Sequence, residues 1–412
     1  MVPVRKLPPL YRNRNYMLLW GGQLISVIGT GASQIVYPLL ILALTHSPTA
    51  AGIAAALGSL PYIIFSLPAG AFIDRWDRKR VMILCDIGRA LTLASIPLAL
   101  AFNALALWQI YLASLIEGSL FVFFNIAQVA SLPRVVAKAQ LPEATAQNEA
   151  AFAAANILAP SIGTLLYQSF GRAFPFLADA LSYVVSVVSL FFIRARFQLD
   201  RAPAQRHLWV EIQEGLNWLW HQPLIRYMAF LTGGLNFGSA ASLLILIVLA
   251  KKLGASDLQI GLIFSTGGIG GILGSFIGGR IQKRFAFGQV IVAATWVWAL
   301  FFPLYAIAPN VFSLGAITAL ISLSSPIYNV VQFSYRMALI PDALQGRVNS
   351  TFRLLAFGFQ PLGAALSGVL LERLGVVPAV IFFSVWYLGL ALMTTFNSHV
   401  THAKPLDQVQ VT

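Results

Sequence analysis

Long apolar segments follow one another along almost the whole chain, separated by short polar gaps. Each is about 20 residues or longer, the length that a helix needs to cross the hydrocarbon core of a membrane. Their continuous apolar character predicts helices, because the strands of a membrane barrel alternate between polar and apolar residues and are about half as long. The predicted spans are twelve: 16–44, 49–73, 81–102, 106–130, 148–169, 173–194, 223–250, 259–279, 288–308, 311–337, 348–370 and 376–397.

The stretch 195–222, between the sixth and seventh spans, is polar. Its second part places four apolar residues on one helical face, which predicts an amphipathic helix on the membrane surface. These residues are Leu208, Ile212, Leu216 and Leu219. The chain is therefore predicted to be an all-α integral membrane protein. It has a six-helix bundle at 1–194, a cytoplasmic linker at 195–222, and a second six-helix bundle with a short tail at 223–412.

Composition excludes several other classes of protein. Hydrophobic residues make up 58% of the chain and charged residues 10%, against about 25% charged in soluble domains. The net charge of +13 does not indicate nucleic-acid binding, because the basic residues lie in short gaps and not on one solvated face. With one cysteine, no clustered histidines and no Gly-rich phosphate loop, we expect no disulfide, metal, ATP site or other cofactor.

The basic residues also predict the orientation in the membrane. Twelve spans put both termini on one side. If that side is cytoplasmic, only Arg172, Lys251, Lys252 and Arg373 of the 27 basic residues lie in outside loops, and Arg89 lies within a span. The other 22 (27 − 4 − 1) are inside, as the positive-inside rule requires. We therefore expect both termini in the cytoplasm and a multi-pass location in the cell membrane, which in a bacterium is the inner membrane.

The two bundles repeat each other. In each, an asparagine is followed twelve residues later by a proline, and a glycine comes two or three residues after that. We expect each proline to kink its helix, because it removes one backbone hydrogen bond, and duplicated bundles are typical of transporters that bind substrate between their halves. The matching residues are Asn148, Pro160 and Gly163 in the fifth span and Asn349, Pro361 and Gly363 in the eleventh.

Three sequence motifs resemble those of a known family of transporters. The stretch G-A-F-I-D-R-W-D-R-K-R at 70–80 resembles the signature loop between helices 2 and 3 of the major facilitator superfamily. A-P-S-I-G at 159–163 resembles its antiporter motif, with an alanine where a glycine is usual, and P-D-A-L-Q-G-R-V at 341–348 resembles macrolide-efflux and siderophore-export members. The resemblance covers nearly the whole chain. It implies secondary active transport by alternating access.

The signature loop is predicted to act as a conformational latch. Gly70 is expected to permit close helix packing, and Asp74 to meet the positive N-terminus of the eleventh span or the guanidinium of Arg347 or Arg353. Such a contact would favour the outward-open state by about 1–3 kcal/mol. The alternative is that these charges only anchor the loop at the membrane. The other basic residues assigned to the latch are Arg75, Arg78 and Arg80.

Ionisable residues within spans are functional candidates, because each is costly to insert in lipid. Asp86 and Arg89 lie three residues apart on the third span and are expected to pair. Glu117 lies in the middle of the fourth span with no basic neighbour at three or four residues, which makes it the first candidate for proton coupling, and Arg89 its one distant partner. Asp179 is a weaker candidate that is expected to cap its helix or to pair with Arg172.

Polar and aromatic residues of four spans suggest a substrate cavity for an amphiphilic organic solute, although each has an alternative role in joining helices. We expect proton-driven efflux of a drug, macrolide or siderophore-like compound by a monomer in contact with membrane lipids. The alternatives are a lysophospholipid carrier, a proton-coupled uptake permease and a non-transporting receptor. The cavity residues are Gln23, Gln34, Phe121, Asn125, Gln128, Asn236, Tyr328, Asn329 and Gln332.

The orientation can be tested by cysteine labelling in a Cys85→Ala background, because Cys85 is the single cysteine. A cysteine in place of Ser256 is expected to react with an impermeant maleimide added to intact cells, and one in place of Thr401 only after the membrane is opened. The reverse pattern would reject the predicted orientation.

Overall fold

The computed structural model describes residues 8–198, 208–341 and 344–403. Within these ranges, the side chains at positions 71, 74, 208, 209, 211 and 283 lie outside the description. Twelve described segments are long and apolar enough to cross a membrane, which confirms the predicted number of spans. An even number of spans places both chain ends on one side of the membrane, here named the terminal side. The other side is named the distal side.

Fifteen α-helices are described, and three short 3-10 turns accompany them. The eleventh span consists of α12 and α13, and α10 continues into a 3-10 turn at Phe302–Ile307. The helices are α1 (Arg14–Thr45), α2 (Pro48–Arg75), α3 (Arg78–Ala101), α4 (Leu107–Val135), α5 (Leu141–Phe170), α6 (Phe174–Phe192), α7 (Leu208–His221), α8 (Pro223–Lys252), α9 (Asp257–Arg284), α10 (Phe287–Phe301), α11 (Val311–Leu339), α12 (Gln345–Gly358), α13 (Gln360–Arg373), α14 (Val376–Thr395) and α15 (Ser398–Thr401).

Short polar residues start many of these helices. Asn13, Ser47, Asp77 and Asn310 each accept a hydrogen bond from a backbone N–H in the first turn of α1, α2, α3 and α11. Such caps satisfy amides that have no partner inside the helix. They also set where each span begins, so that the polar gaps between the apolar segments become tight interhelical turns.

The helices form two similar bundles, α1–α6 (the N half) and α8–α14 (the C half). In the N half, α1 packs against α5 and α6, and α3 against α4 and α6; in the C half, α8 packs against α13 and α14. Gly163 lies against the backbone of Ala32 on α1, and Gly363 against the backbone of Phe237 on α8. In both halves this glycine therefore allows the fifth span of the half to contact the first.

The two prolines of the repeat have different effects. Pro160 lies inside α5, which runs without interruption past it. The eleventh span is interrupted at a single residue, Phe359, between α12, which ends at Gly358, and α13, which begins at Gln360. Phe359 keeps right-handed helical dihedral angles, and its carbonyl accepts from the Gly363 N–H at 3.1 Å, so that Gln345–Arg373 still crosses the membrane as one segment. Pro361 has no N–H to donate to the preceding turn, which accounts for the interruption just before it.

The linker helix α7 lies where the sequence predicted an amphipathic helix, but its apolar residues are divided between two surroundings. Leu219 is fully buried with Ile225 and Val348 in the core of the C half, whereas Leu216 is 42% exposed. Gly215 lies against the backbone of Arg347 at the start of α12. The helix is thus fixed to the C half along one side, and only the remaining apolar surface can face lipid.

Gly363→Ala should destabilise the protein, because its Cβ would overlap the backbone carbonyl of Phe237 and the two backbones would have to separate. Overpacking of this kind costs about 1–3 kcal/mol. We expect a melting temperature several degrees lower in detergent, measured by the reaction of buried Cys85 with a thiol-reactive dye. Gly389→Ala is the matched control, since a Cβ there meets no atom within 4 Å. Equal melting temperatures for the two variants would contradict the close packing of α13 on α8.

Candidate functional site

The guanidinium of Arg89 lies in the middle of the N half, on α3, and is 3% exposed. Its Nε lies 3.3 Å from Glu117 Oε2 on α4, and its Nη1 lies 3.8 Å from Asp86 Oδ1 one turn earlier on α3. Its Nη2 donates to Thr30 Oγ1 of α1 at 3.4 Å. Three helices thus contribute polar partners to one buried cation.

Aromatic rings complete this surrounding. The Cζ of Arg89 lies 4.0 Å from the ring centroid of Tyr183 on α6 and 5.6 Å from that of Phe121 on α4. The Tyr183 hydroxyl donates to Glu117 Oε2 at 3.3 Å and lies 2.8 Å from Thr30 Oγ1. The aromatic rings attract the guanidinium electrostatically, and they also exclude water from it. Phe121, predicted for the cavity, belongs to this cluster.

Glu117 forms an ion pair with Arg89, the one distant partner that the sequence offered for it. The search at three and four residues covers only its own helix, whereas Arg89 reaches it from α3, which packs beside α4. Only Oε2 is satisfied: Oε1 is buried and has no hydrogen-bond partner among the described residues. This free oxygen is a site at which the carboxyl group can hold a proton.

Asp86 and Asp179 are both fully buried. Asp86 pairs with Arg89 as predicted, although neither of its oxygens has a hydrogen-bond partner in the described part. Asp179 does not cap a helix or pair with Arg172. It accepts from Ser33 Oγ of α1 at 2.5 Å and from Ser182 Oγ at 3.1 Å, because its position on α6 turns it towards α1 and away from the distal loop.

A second polar site lies in the C half. Thr232, Asn236 and Ser239 of α8 face Ser325, Tyr328 and Asn329 of α11 across a pocket of about 70 Å³, with Trp298 at its side. The Tyr328 hydroxyl lies 2.7 Å from Thr232 Oγ1, and Asn236 Nδ2 donates to the Ala356 carbonyl at 2.7 Å. Three predicted cavity residues, Asn236, Tyr328 and Asn329, therefore come together. Among the described residues, no carboxylate or basic side chain lines this pocket.

The other predicted cavity residues do not line that pocket. Gln23 is buried on α1, and Gln34 on the same helix is exposed. Gln332 is buried one turn beyond Asn329, with its Nε2 unpaired in the described part of the chain. Asn125 and Gln128 are partly buried on α4.

The latch residues are only partly described, since the side chain of Asp74 lies outside the description. Arg347 pairs with Glu214 of α7, and Arg353 lies over the ring of Tyr62, with its Cζ 5.6 Å from the centroid. Among the loop residues, Arg78 Nη1 donates to the Ala130 carbonyl at 2.7 Å, while Arg75 and Arg80 are exposed.

The close approach of α2 to a neighbour expected at Gly70 is not made in this conformation. A Cβ on Gly70 would meet no described atom within 4 Å. The reason lies at the other end of the molecule, where α2 meets the C half: Gly52, near the distal end of α2, packs directly against Gly368 of α13. With the distal ends of the halves in contact, the terminal end of α2 at Gly70 has space around it.

Hydrogen bonds reinforce this distal closure. Glu372, at the end of α13, accepts from Ser47 Oγ at 2.5 Å and from the Thr49 N–H at 2.9 Å, so that it caps α2 from the other half. Gln168 Oε1 of α5 accepts from the Leu258 N–H at the start of α9, and Ser161 and Ser265 Oγ atoms lie 2.7 Å apart nearer the centre. The described state is therefore closed on the distal side.

Several functional residues were not found from the sequence. Tyr183, Thr30 and Ser33 give no local signal, because a hydroxyl on an apolar span is usually a packing residue. Glu372 lies at the edge of a span, where a carboxylate is unremarkable. Each acquires its role from a contact with another helix, and interhelical contacts cannot be read from a single sequence.

Sequence comparison gives matches along the whole chain. The family described as transmembrane secretion effector matches residues 5–411. The multidrug efflux pump Tap of Mycolicibacterium fortuitum is 28% identical over 394 residues, covering 92% of this chain and 95% of Tap. The enterobactin exporter EntS of Escherichia coli is 26% identical over 354 residues, covering 84% of this chain and 82% of EntS.

Solved structures match over nearly the full length. A point mutant of the nucleoside transporter NupG gives a TM-score of 0.79 at 13% identity, covering 93% of this chain and all of that one. A bacterial homologue of the iron transporter ferroportin, in an inward-facing state, gives 0.73 at 15% identity with the same coverage. At such identities the likeness concerns the fold alone.

Glu372→Gln should weaken the distal closure, because it removes the charged acceptor that caps α2 across the two halves. Spin labels in place of Phe102 and Ile307, which are 75% and 74% exposed at the distal ends of the two halves, report their separation. We expect a larger population at long distance in the variant. Arg373→Gln, which changes the neighbouring charge, should leave the distances unchanged. The same distribution for Glu372→Gln and the unchanged protein would show that this contact does not hold the closure.

Proposed function

The chain belongs to the transmembrane secretion effector family of the major facilitator superfamily, and we propose that it exports amphiphilic organic compounds in exchange for protons. It is a multi-pass membrane protein and a transporter, not an enzyme. The single observation that carries the proposal is the buried cluster around Arg89 in the N half. In our proposal the proton gradient is the energy source, and one chain forms the whole transport path.

The charges of this cluster do not balance. Asp86 and Glu117 pair with the guanidinium of Arg89, and the buried carboxyl group of Asp179 lies in the same half, held by Ser33 and Ser182, so that three carboxyl groups share one cation in this part of the described chain. Full ionisation would leave a net charge of −2 (1 − 3) in a region that lies between apolar helices. Uncompensated buried charge costs several kcal/mol. The cluster therefore favours the uptake of protons, up to two for neutrality.

Glu117 is the carboxyl group that we assign to coupling. It joins α4 to α3 through Arg89 and to α6 through Tyr183, and its Oε1 is free to take a proton. Asp179 lies nearer the distal end of α6, where it can pass a proton inward. Protonation of Glu117 would remove half of its ion pair with Arg89 and so change the forces that hold these helices together.

The C half supplies the contacts for the substrate in our proposal. The pocket of Asn236, Tyr328 and Asn329 offers amides, hydroxyls and the indole of Trp298 without a formal charge. At about 70 Å³ the pocket would contact one polar part of an organic molecule and not enclose the whole of it, since sites that enclose such molecules measure about 300–1,000 Å³. Two relatives are named as a multidrug efflux pump and as an exporter of enterobactin. A cationic substrate would also compete with protons for Glu117, which would couple the two fluxes.

Glu117→Gln is the test, since the amide cannot exchange a proton but keeps the size of the carboxyl group. In proteoliposomes with an imposed pH gradient, we expect uphill substrate flux to fall to the level of empty vesicles, while exchange of substrate down its own gradient continues. Glu117→Asp should retain part of the uphill flux with an altered pH profile. Proton flux and substrate flux are measured together, with rhodamine 6G as the first substrate and macrolides and siderophores after it.

Asp257→Asn is the matched control, because this carboxylate pairs with Lys251 outside the cluster on the distal side. It should leave both fluxes unchanged. If the Glu117→Gln protein still accumulates substrate against a gradient at the unchanged proton-to-substrate ratio, Glu117 is structural. Asp179→Asn and Asp86→Asn would then be measured in the same assay.

A further inference from the structure

A groove of about 470 Å³ opens on the outer surface of the C half, between α8 and α14 on the terminal side. It is lined almost entirely by apolar side chains, among them Tyr227, Leu231, Phe359 and Trp386. Phe230 and Met393, at its edges, are 41% and 63% exposed, which places the opening towards lipid. Its volume is in the range of small-molecule sites, about 300–1,000 Å³, yet it shares no lining residue with the polar pocket of the C half.

Basic and polar groups occupy the end of the groove nearest the terminal side, where Arg226, Asn397 and His399 line it. Arg226 donates from Nη1 to the Trp220 carbonyl at 2.9 Å, and its Cζ lies 5.2 Å from the centroid of the Trp220 ring. No carboxylate of the described chain lies within 4 Å of this guanidinium. Its charge and most of its N–H donors therefore remain available to an anion.

The start of α8 adds to the positive potential at the same place. The helix begins at Pro223 without any side-chain cap, and Arg226 lies in its first turn. The N-terminus of a helix carries about half a positive charge and free amide groups, both of which attract phosphate. Pro223, the first residue of α8, lines the groove together with Arg226, so the helix N-terminus and the guanidinium lie at the same end of it.

The dimensions suit one leaflet of a membrane. From Pro223 to Gly234, the lining residues of α8 extend over eleven residues, or about 16 Å, close to half of the roughly 30 Å hydrocarbon thickness. Trp220 of α7 is 52% exposed beside the rim, and tryptophan is enriched at the level of lipid headgroups. The rim therefore lies at headgroup depth and the groove beneath it in hydrocarbon.

We propose that this groove binds an anionic phospholipid from the leaflet on the terminal side. Its phosphate lies at Arg226 and the start of α8, and one acyl chain fills the apolar groove down to Phe359. The distribution of basic residues predicts that this side is cytoplasmic, the leaflet that carries anionic lipid. Charge complementarity at the rim and apolar lining below it select this occupant over a neutral lipid.

The position of the acyl chain connects the lipid to the transport cycle. Phe359 is the residue between α12 and α13, and its ring lies where a Cβ on Gly233 would be. An acyl chain in the groove packs against this ring. The lipid would thereby stabilise the interruption at Phe359 in the eleventh span, whose distal part forms the contact with α2.

The site can be tested with purified full-length protein in a neutral detergent. Short-chain dioctanoyl phosphatidylglycerol and dioctanoyl phosphatidylcholine are titrated separately, and the melting temperature is measured through the exposure of buried Cys85. A ligand that binds the folded state raises this temperature in a saturable way. We expect such a rise with phosphatidylglycerol alone, and none with glycerol phosphate, which lacks the acyl chains.

Two variants separate the headgroup from the chain. Arg226→Gln should shift the phosphatidylglycerol midpoint to about fivefold higher concentration, the effect of one basic residue at a membrane surface. Arg284→Gln is the matched control: this arginine also lies over an aromatic ring on the terminal side, but away from the groove. Met393→Trp fills the apolar part and should abolish the rise while Arg226 stays in place, which keeps the test decisive if Arg226→Gln fails to fold.

Three results would overturn the proposal. One is an equal rise in melting temperature with both lipids, which would indicate detergent-like binding. Another is the same midpoint for Arg226→Gln and Arg284→Gln, which would place the anion elsewhere. The third is competitive displacement of phosphatidylglycerol by rhodamine 6G, which would make the groove a path for substrate from the membrane.

Discussion

The buried charge of Arg89 is the constraint on which the N half depends. A guanidinium between apolar helices is tolerated only where other helices bring partners to it, and here α1 supplies Thr30, α4 supplies Glu117 and α6 supplies Tyr183. The packing of these helices is thus fixed by electrostatics as much as by side-chain volume. A change in the charge of one partner acts on all of them.

The two halves repeat their backbone contacts but not their chemistry. Gly163 and Gly363 make equivalent contacts in the two bundles, whereas the carboxyl groups of the buried cluster belong to the N half and the pocket of the C half is lined by neutral groups. Duplication conserved the positions at which helices must touch, since a side chain there would separate them. The interiors were free to diverge, and in our proposal they divide proton binding from substrate contact.

The sequence predicted what depends on single helices. Hydrophobic runs predicted the spans, their number and the linker helix. Spacing along one helix predicted the Asp86–Arg89 pair. It did not predict the partners of Asp179, the full surroundings of Glu117 or the role of Glu372, because each depends on how far a neighbouring helix is rotated and shifted. Pro361 indicated a disturbance of the eleventh span, and the interruption lies at Phe359, two residues before the proline.

One short segment of α1 connects the buried cluster around Arg89 to the interface between the halves. Thr30 contacts Arg89, and Ser33 donates to Asp179. Between them, Ala32 packs against Gly163 of α5, whose Ser161 meets Ser265 of the C half. In our proposal, protonation that weakens the hold of the cluster on α1 would therefore act one contact away from the surface along which the halves move. No long-range signal would be needed, because the residues of α1 that contact the cluster, Thr30 and Ser33, lie within one turn of Ala32, which contacts α5.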